Sequence, residues 1–134
     1  MSQVPLQSIV NLVLFSQIFD VVKLELQQSV PSWITRSPFF FLSRTDDEYS
    51  VICEKSVIPP EHRSATDWRC LKVAGDISPE LPGVAVGVSK PMADAGLSLI
   101  LVGTHDRDYI LVKSELLQAG RDVYRAAGFS VVES

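Results

Sequence analysis

Apolar residues come in short, β-branched runs through the first half of the chain and at helical spacing in two stretches of the second. Ile9–Leu14 and Val21–Leu26 read as two strands with Phe19-Asp20 between them. Ser29-Val30-Pro31-Ser32-Trp33 reads as a turn or short helical bend. Phe39–Ser43 and Tyr49–Cys53 flank the polar run Arg44-Thr45-Asp46-Asp47-Glu48, the pattern of a hairpin. Pro59-Pro60-Glu61-His62-Arg63-Ser64 is loop, because paired prolines fit neither a helix interior nor a strand ladder. Trp68–Val73 is a further strand, closed by Ala74-Gly75-Asp76.

In the second half, Val84, Val88 and Met92 recur every four residues, with Ala85 and Ala95 beside them. This predicts a helix starting near Pro82, bent at Pro91 and stopped by Gly96. Leu97–Val102 and Tyr109–Val112 are strands joined tightly by Gly103–Arg107. Ser114 is placed to cap a second helix with Leu116, Ala119, Val123 and Ala127 on one face. Gly128 ends that helix before a last strand, Phe129–Val132.

From Trp68 to Val132 the order is βαββαβ, which predicts an α+β fold. The topology is ferredoxin-like, one antiparallel sheet with both helices on one face. The strand-rich first half reads as a degenerate version of the same unit, although no repeat in the residues relates the halves. The expected division is 1–66 and 67–134. A chain of 134 residues, 46% hydrophobic and 21% charged, is long enough to bury one core without disulfides. The net charge is −4, and the basic residues are scattered, so no phosphate-binding stripe exists and nucleic-acid binding is not expected. Cys53 and Cys70 sit in apolar runs, read as buried reduced thiols, with a paired redox switch as the alternative. The apolar run Ile9–Phe15 lacks a basic flank and is too short to span a bilayer, so a cytoplasmic location is expected.

The chain carries no Walker-type phosphate loop, GxSxG elbow, HExxH or CxxC, so neither cofactor nor metal is expected. Ser98, His105 and Asp108 contain the residue types of a hydrolytic triad, but nothing in their spacing positions them. Two features point to binding instead. Leu81-Pro82-Gly83-Val84 opens a helix, where free amides and the positive dipole end attract a carboxylate. Gly103-Thr104-His105-Asp106-Arg107-Asp108 joins two apolar strands and offers polar groups beside a permissive glycine. In a βαββ unit these two places approach at one edge of the sheet, where they can hold both ends of a small zwitterion. Each also has a plain reading, as an ordinary helix entry and a polar turn.

The segment Pro82-Gly83-Val84, Lys90-Pro91-Met92-Ala93, Ala95-Gly96-Leu97-Ser98 and Gly103-Thr104-His105-Asp106-Arg107-Asp108-Tyr109-Ile110-Leu111-Val112 resembles an ACT domain. Phe39–Val51 is similar to the first-unit hairpin of the small two-unit ACT proteins of bacteria and of the cytosolic arginine sensors of the animal TOR pathway, as is Asp67–Val73. The resemblance covers roughly residues 18 to 130. It implies a non-catalytic regulatory module that senses an amino acid at an interface between ACT units, arginine or another basic amino acid first. It also implies a homodimer and a larger regulated enzyme or signalling complex as partner. The ligand-binding positions it carries over are Gly83, Val84, Ser98, Leu99, Thr104, His105 and Asp108. The chain departs from the family in Gly103-Thr104-His105, where Ser-Thr-Phe is usual, and in having two units where the arginine sensors have four. An interaction module that has lost its ligand, and a small enzyme, are the alternatives.

Overall fold

A computed structural model describes residues 4–78 and 80–134. Its strands are β1 (Asn11–Leu14), β2 (Phe19–Leu24), β3 (Phe41–Arg44), β4 (Tyr49–Glu54), β5 (Trp68–Ala74), β6 (Ile100–Gly103), β7 (Asp108–Lys113) and β8 (Ser130–Glu133). The α-helices are α1 (Val84–Asp94) and α2 (Leu117–Ala126), joined by short 3-10 turns elsewhere. Two compact units form: the residues up to Ser16 with Arg69–Ser134, and Gln17–Trp68. The units therefore do not part at 66/67. β1 pairs antiparallel with β5 (Leu12↔Val73) and parallel with β8 (Leu12↔Val131), which ties it to the C-terminal unit.

In the C-terminal unit the strand order is β6-β7-β5-β1-β8, so β1 is inserted between the first and last strands of the βαββαβ order. Leu12, Leu14, Leu71, Val73, Ile110, Val112 and Val131 pack in one core with Val84, Val88 and Met92 of α1 and Tyr124 of α2. Alternate strand positions supply that core, so both helices cover one sheet face, as expected. Each helix ends on a left-handed glycine. The Leu97 amide bonds back to Met92 O across Gly96 (φ 73°), and the Phe129 amide to Tyr124 O across Gly128 (φ 97°).

Two expectations for α2 are corrected. Ser114 does not cap it: Ser114–Leu116 is a 3-10 turn, and the helix begins at Leu117 with no side-chain cap. Of the expected face, Val123 and Ala127 do pack against the core, but Ala119 does not. Gly120 and Tyr124 are buried while Ala119 is exposed. Tyr124 OH donates to Val88 O at 2.7 Å, and a Cβ on Gly120 would lie 3.2 Å from Met92 Cε, so close helix approach selects that face.

In the N-terminal unit the order is β3-β4-β2, and Phe19 of β2 pairs with Trp68 at the head of β5. Val22, Leu24, Ile34, Tyr49, Val51, Cys53 and Ile58 form its own core. Phe19 and Asp20 are not between strands; they open β2 and are fully buried. The Asp20 carboxylate accepts from the amides of Val21 and Ser64 at 2.9 and 2.8 Å and from Ser64 Oγ at 2.5 Å. Lys55 Nζ lies 3.6 Å from it.

The spacing of elements reveals a repeat that residue identities hide. β3 starts at 41 and β6 at 100, β4 at 49 and β7 at 108, and the 3-10 turns Lys55–Val57 and Ser114–Leu116 follow, each pair 59 residues apart. The interval from the end of the preceding strand differs: Leu24 to Phe41 is 17 positions and Ala74 to Ile100 is 26. The nine positions missing are those that would make a helix, and the N-terminal unit has the 3-10 turn Ser32–Arg36 there.

Cys53 and Cys70 are free and buried. Burial pushes both thiols up to about 12, with the Asp20 and Glu54 carboxylates adding to the rise at Cys53. Neither is therefore a thiolate near neutral pH. No helix of the described residues is long and apolar enough to cross a membrane.

Candidate functional site

β5 ends at Ala74, and Gly75 turns the chain away at φ 146°. A Cβ at Gly75 would run into the backbone carbonyl of Ile9, so only glycine lets β1 and this turn approach. The connection re-enters a helix at Gly83, whose φ of 91° and accepted bond from the Gly87 amide (2.8 Å) set the first turn of α1. The amides that open a helix have no acceptor within it.

At the same end of the sheet, β6 and β7 are joined by a closed turn. The Thr104 amide donates to Arg107 O at 2.8 Å, and the Arg107 amide donates to Thr104 Oγ1 at 3.2 Å. Asp108 then opens β7 opposite Gly103, its Oδ1 leaning over that glycine. Arg107 reaches across to Gly75, Nη1 donating to its carbonyl at 2.7 Å.

These elements enclose a cavity of about 230 Å³. Gly83, Val84 and Ala85 of the helix start, Ile77, Ser78 and Leu81 of the connection, and Thr104, Asp106, Arg107 and Asp108 of the turn line it. Four of the seven positions expected from the sequence, Gly83, Val84, Thr104 and Asp108, thus meet around one cavity. The other three do not line it. His105 is exposed, its Nδ1 2.8 Å from Asp106 Oδ1. Ser98 is exposed and Leu99 packs against the core, both before β6, whereas the cavity lies beyond the other end of that strand. The same separation keeps Ser98 from His105 and Asp108, so no triad is assembled. Asp106 and Arg107 also line the cavity; they belong to the polar turn that the sequence pointed to but were not among the seven expected ligand positions. Arg107 acquires its place from Gly75, a contact spanning 32 positions.

The N-terminal unit closes the corresponding turn in the same way. The Thr45 amide donates to Glu48 O at 2.8 Å and the Glu48 amide to Thr45 Oγ1 at 3.1 Å. At the 59-residue offset Glu48 stands where Arg107 does, and Tyr49 where Asp108 does. A separate hollow of about 270 Å³ in that unit, bordered by Lys23, Glu25, Trp33 and His62, has no α-helix start beside it.

A family model described as ACT domain matches residues 63–119, and a model of an N-terminal domain matches residues 17–61. The human protein CASTOR3P is 32% identical over 91 residues, 58% of this chain and 56% of that protein. The chain thus spans little more than half the length of that relative. Protein Atu0741 from Agrobacterium tumefaciens is similar in structure at a TM-score of 0.84, with 27% identity over 93% of both chains. The aspartate kinase of Clostridium acetobutylicum, described as an allosteric enzyme, shares the fold at a TM-score of 0.56 and 8% identity, over 89% of this chain and 33% of that one. The strand order and helix faces of the C-terminal unit agree with the ACT-domain model that matches residues 63–119.

Proposed function

We propose that the chain is a non-catalytic regulatory module that binds a free amino acid in the cavity at the start of α1. One observation carries the reading: the opening amides of a helix and the carboxylates Asp106 and Asp108 border the same small cavity. The helix start favours an α-carboxylate, and the carboxylates favour an ammonium or a basic side chain. Arginine is the first ligand to test. The resemblance to arginine sensors and the partial match to CASTOR3P support the same class. A cytoplasmic location accords with this reading.

A thermal-shift screen of the twenty amino acids tests it, since a ligand bound only by the native state raises the melting temperature. For a basic ligand, Asp108→Asn is expected to weaken binding about ten- to a hundredfold, the loss of one charge-assisted hydrogen bond. Unchanged affinity and preference in a folded Asp108→Asn protein would make Asp108 a structural residue of the turn.

We further propose a homodimer. β6 closes one side of the C-terminal sheet, pairs with β7, and carries the half-buried apolar residues Ile100, Leu101 and Val102. Such an edge favours pairing with a second copy, which could in turn regulate a larger enzyme or signalling complex. Light scattering is expected to give twice the chain mass. A single-chain mass across micromolar concentrations rejects the dimer.

A further inference from the structure

We propose that Arg107 is a specificity-determining residue of the α1 cavity, the group that takes the ligand's carboxylate. This rests on the amino-acid reading above. The guanidinium is held from both ends. Its backbone belongs to the closed turn with Thr104, and its Nη1 is pinned to Gly75 O at 2.7 Å. Gly75 in turn has Ile9 O packed where a side chain would be.

Arg107 is half-buried, yet it forms no ion pair among the described residues. Its neighbours Asp106 and Asp108 border the same cavity but form no ion pair with it; Asp106 Oδ1 lies 2.8 Å from His105 Nδ1 instead. A partly desolvated cation without a counter-anion is unfavourable, and an arriving carboxylate relieves it. A guanidinium has five donors in a fork suited to a carboxylate, and Gly75 occupies one. Gly83, Val84 and Ala85 border the same cavity, so the helix dipole favours the same charge there.

The N-terminal hairpin shows that the turn does not need arginine. The same bonds close it with Glu48 at the corresponding position. Closing the turn therefore does not itself require a cation at this position.

The test is calorimetry of the wild type and Arg107→Met with each of the twenty L-amino acids and its carboxamide, which keeps the ammonium and side chain but removes the negative charge. The wild type is expected to prefer the acid by about ten- to a hundredfold. Arg107→Met should lose that preference and leave carboxamide affinity within about threefold. Arg107→Lys should keep part of it, with charge but no fork. If Arg107→Met does not melt cooperatively, Arg107→Gln is read in its place with the same expectation. Preference undiminished in the neutral variant overturns the proposal. Wild-type protein that binds acid and carboxamide alike overturns it too, while the amino-acid reading stands. Wild-type protein that binds none of the forty removes that reading and this proposal with it.

Discussion

Replacing Asp20 by alanine is expected to cost about 3–5 kcal/mol of unfolding free energy, the range for breaking a buried charged pair from one side. Asp20 is fully buried and anchors the loop after β4. Without its carboxylate, the amides of Val21 and Ser64 and the Ser64 hydroxyl lose their acceptor together. Lys55 loses a partner 3.6 Å away, though it keeps Ser64 O, Thr66 O and Asp67 Oδ1 at 3.1, 3.0 and 2.6 Å. Asp20→Asn retains one acceptor oxygen but sets a second donor against the Ser64 amide or hydroxyl, so a loss of about 1–3 kcal/mol is expected. Against a typical stability of about 5–15 kcal/mol, the alanine variant should unfold at a much lower urea concentration. Hydrogen exchange should speed up most over residues 58–67. A loss below about 1 kcal/mol for Asp20→Ala would mean that water replaces the carboxylate and that the loop is held by other contacts.

The elements that the sequence made legible are those whose own pattern decides their fate. Tyr49, Val51 and Cys53 alternate inward along β4, and Val84, Val88 and Met92 form the buried stripe of α1. Gly96 and Gly128 sit where a left-handed stop is needed. What escaped the pattern depends on distant partners. Asp20 looks like punctuation between two apolar runs, because the groups that make its burial tolerable lie 44 positions away at Ser64. Spacing within α2 placed Val123 and Ala127 against the core, but it missed Gly120 and Tyr124, which Met92 and Val88 of α1 bury, and included the exposed Ala119. Leu97 and Leu99 are apolar enough for a strand, yet the strand begins only at Ile100, and the Leu97 amide is bonded to Met92 O in the helix exit. The helix entry and the polar turn of the candidate site were both visible locally, and the βαββ order predicted that they meet. Ser98 and Leu99 came from the resemblance alone, and the strand between them and the cavity separates them. Arg107 was legible as part of the polar turn but not as a ligand position, since its anchor is a backbone carbonyl.

Gly75→Ala is expected to cost about 2–5 kcal/mol, combining a strained backbone with an overpacked contact. The φ of 146° is one that L side chains rarely adopt, and the added Cβ meets the Ile9 carbonyl, which is backbone and has no rotamer to escape through. Gly83→Ala provides the control. Gly83 also has positive φ, 91°, but nothing lies within 4 Å of its Cβ position, so only the conformational cost of about 1–2 kcal/mol applies. Both glycines border the same connection, and comparing them by thermal unfolding separates packing from backbone strain. Equal losses would mean that the approach of Ile9 is not what selects glycine at 75. The two variants should also differ in binding. Gly75→Ala shifts the carbonyl that holds Arg107 and should erode the acid-over-carboxamide preference even in molecules that remain folded. Gly83→Ala leaves that carbonyl in place and adds a methyl where the cavity is open, so a loss of affinity there should fall on acid and carboxamide alike.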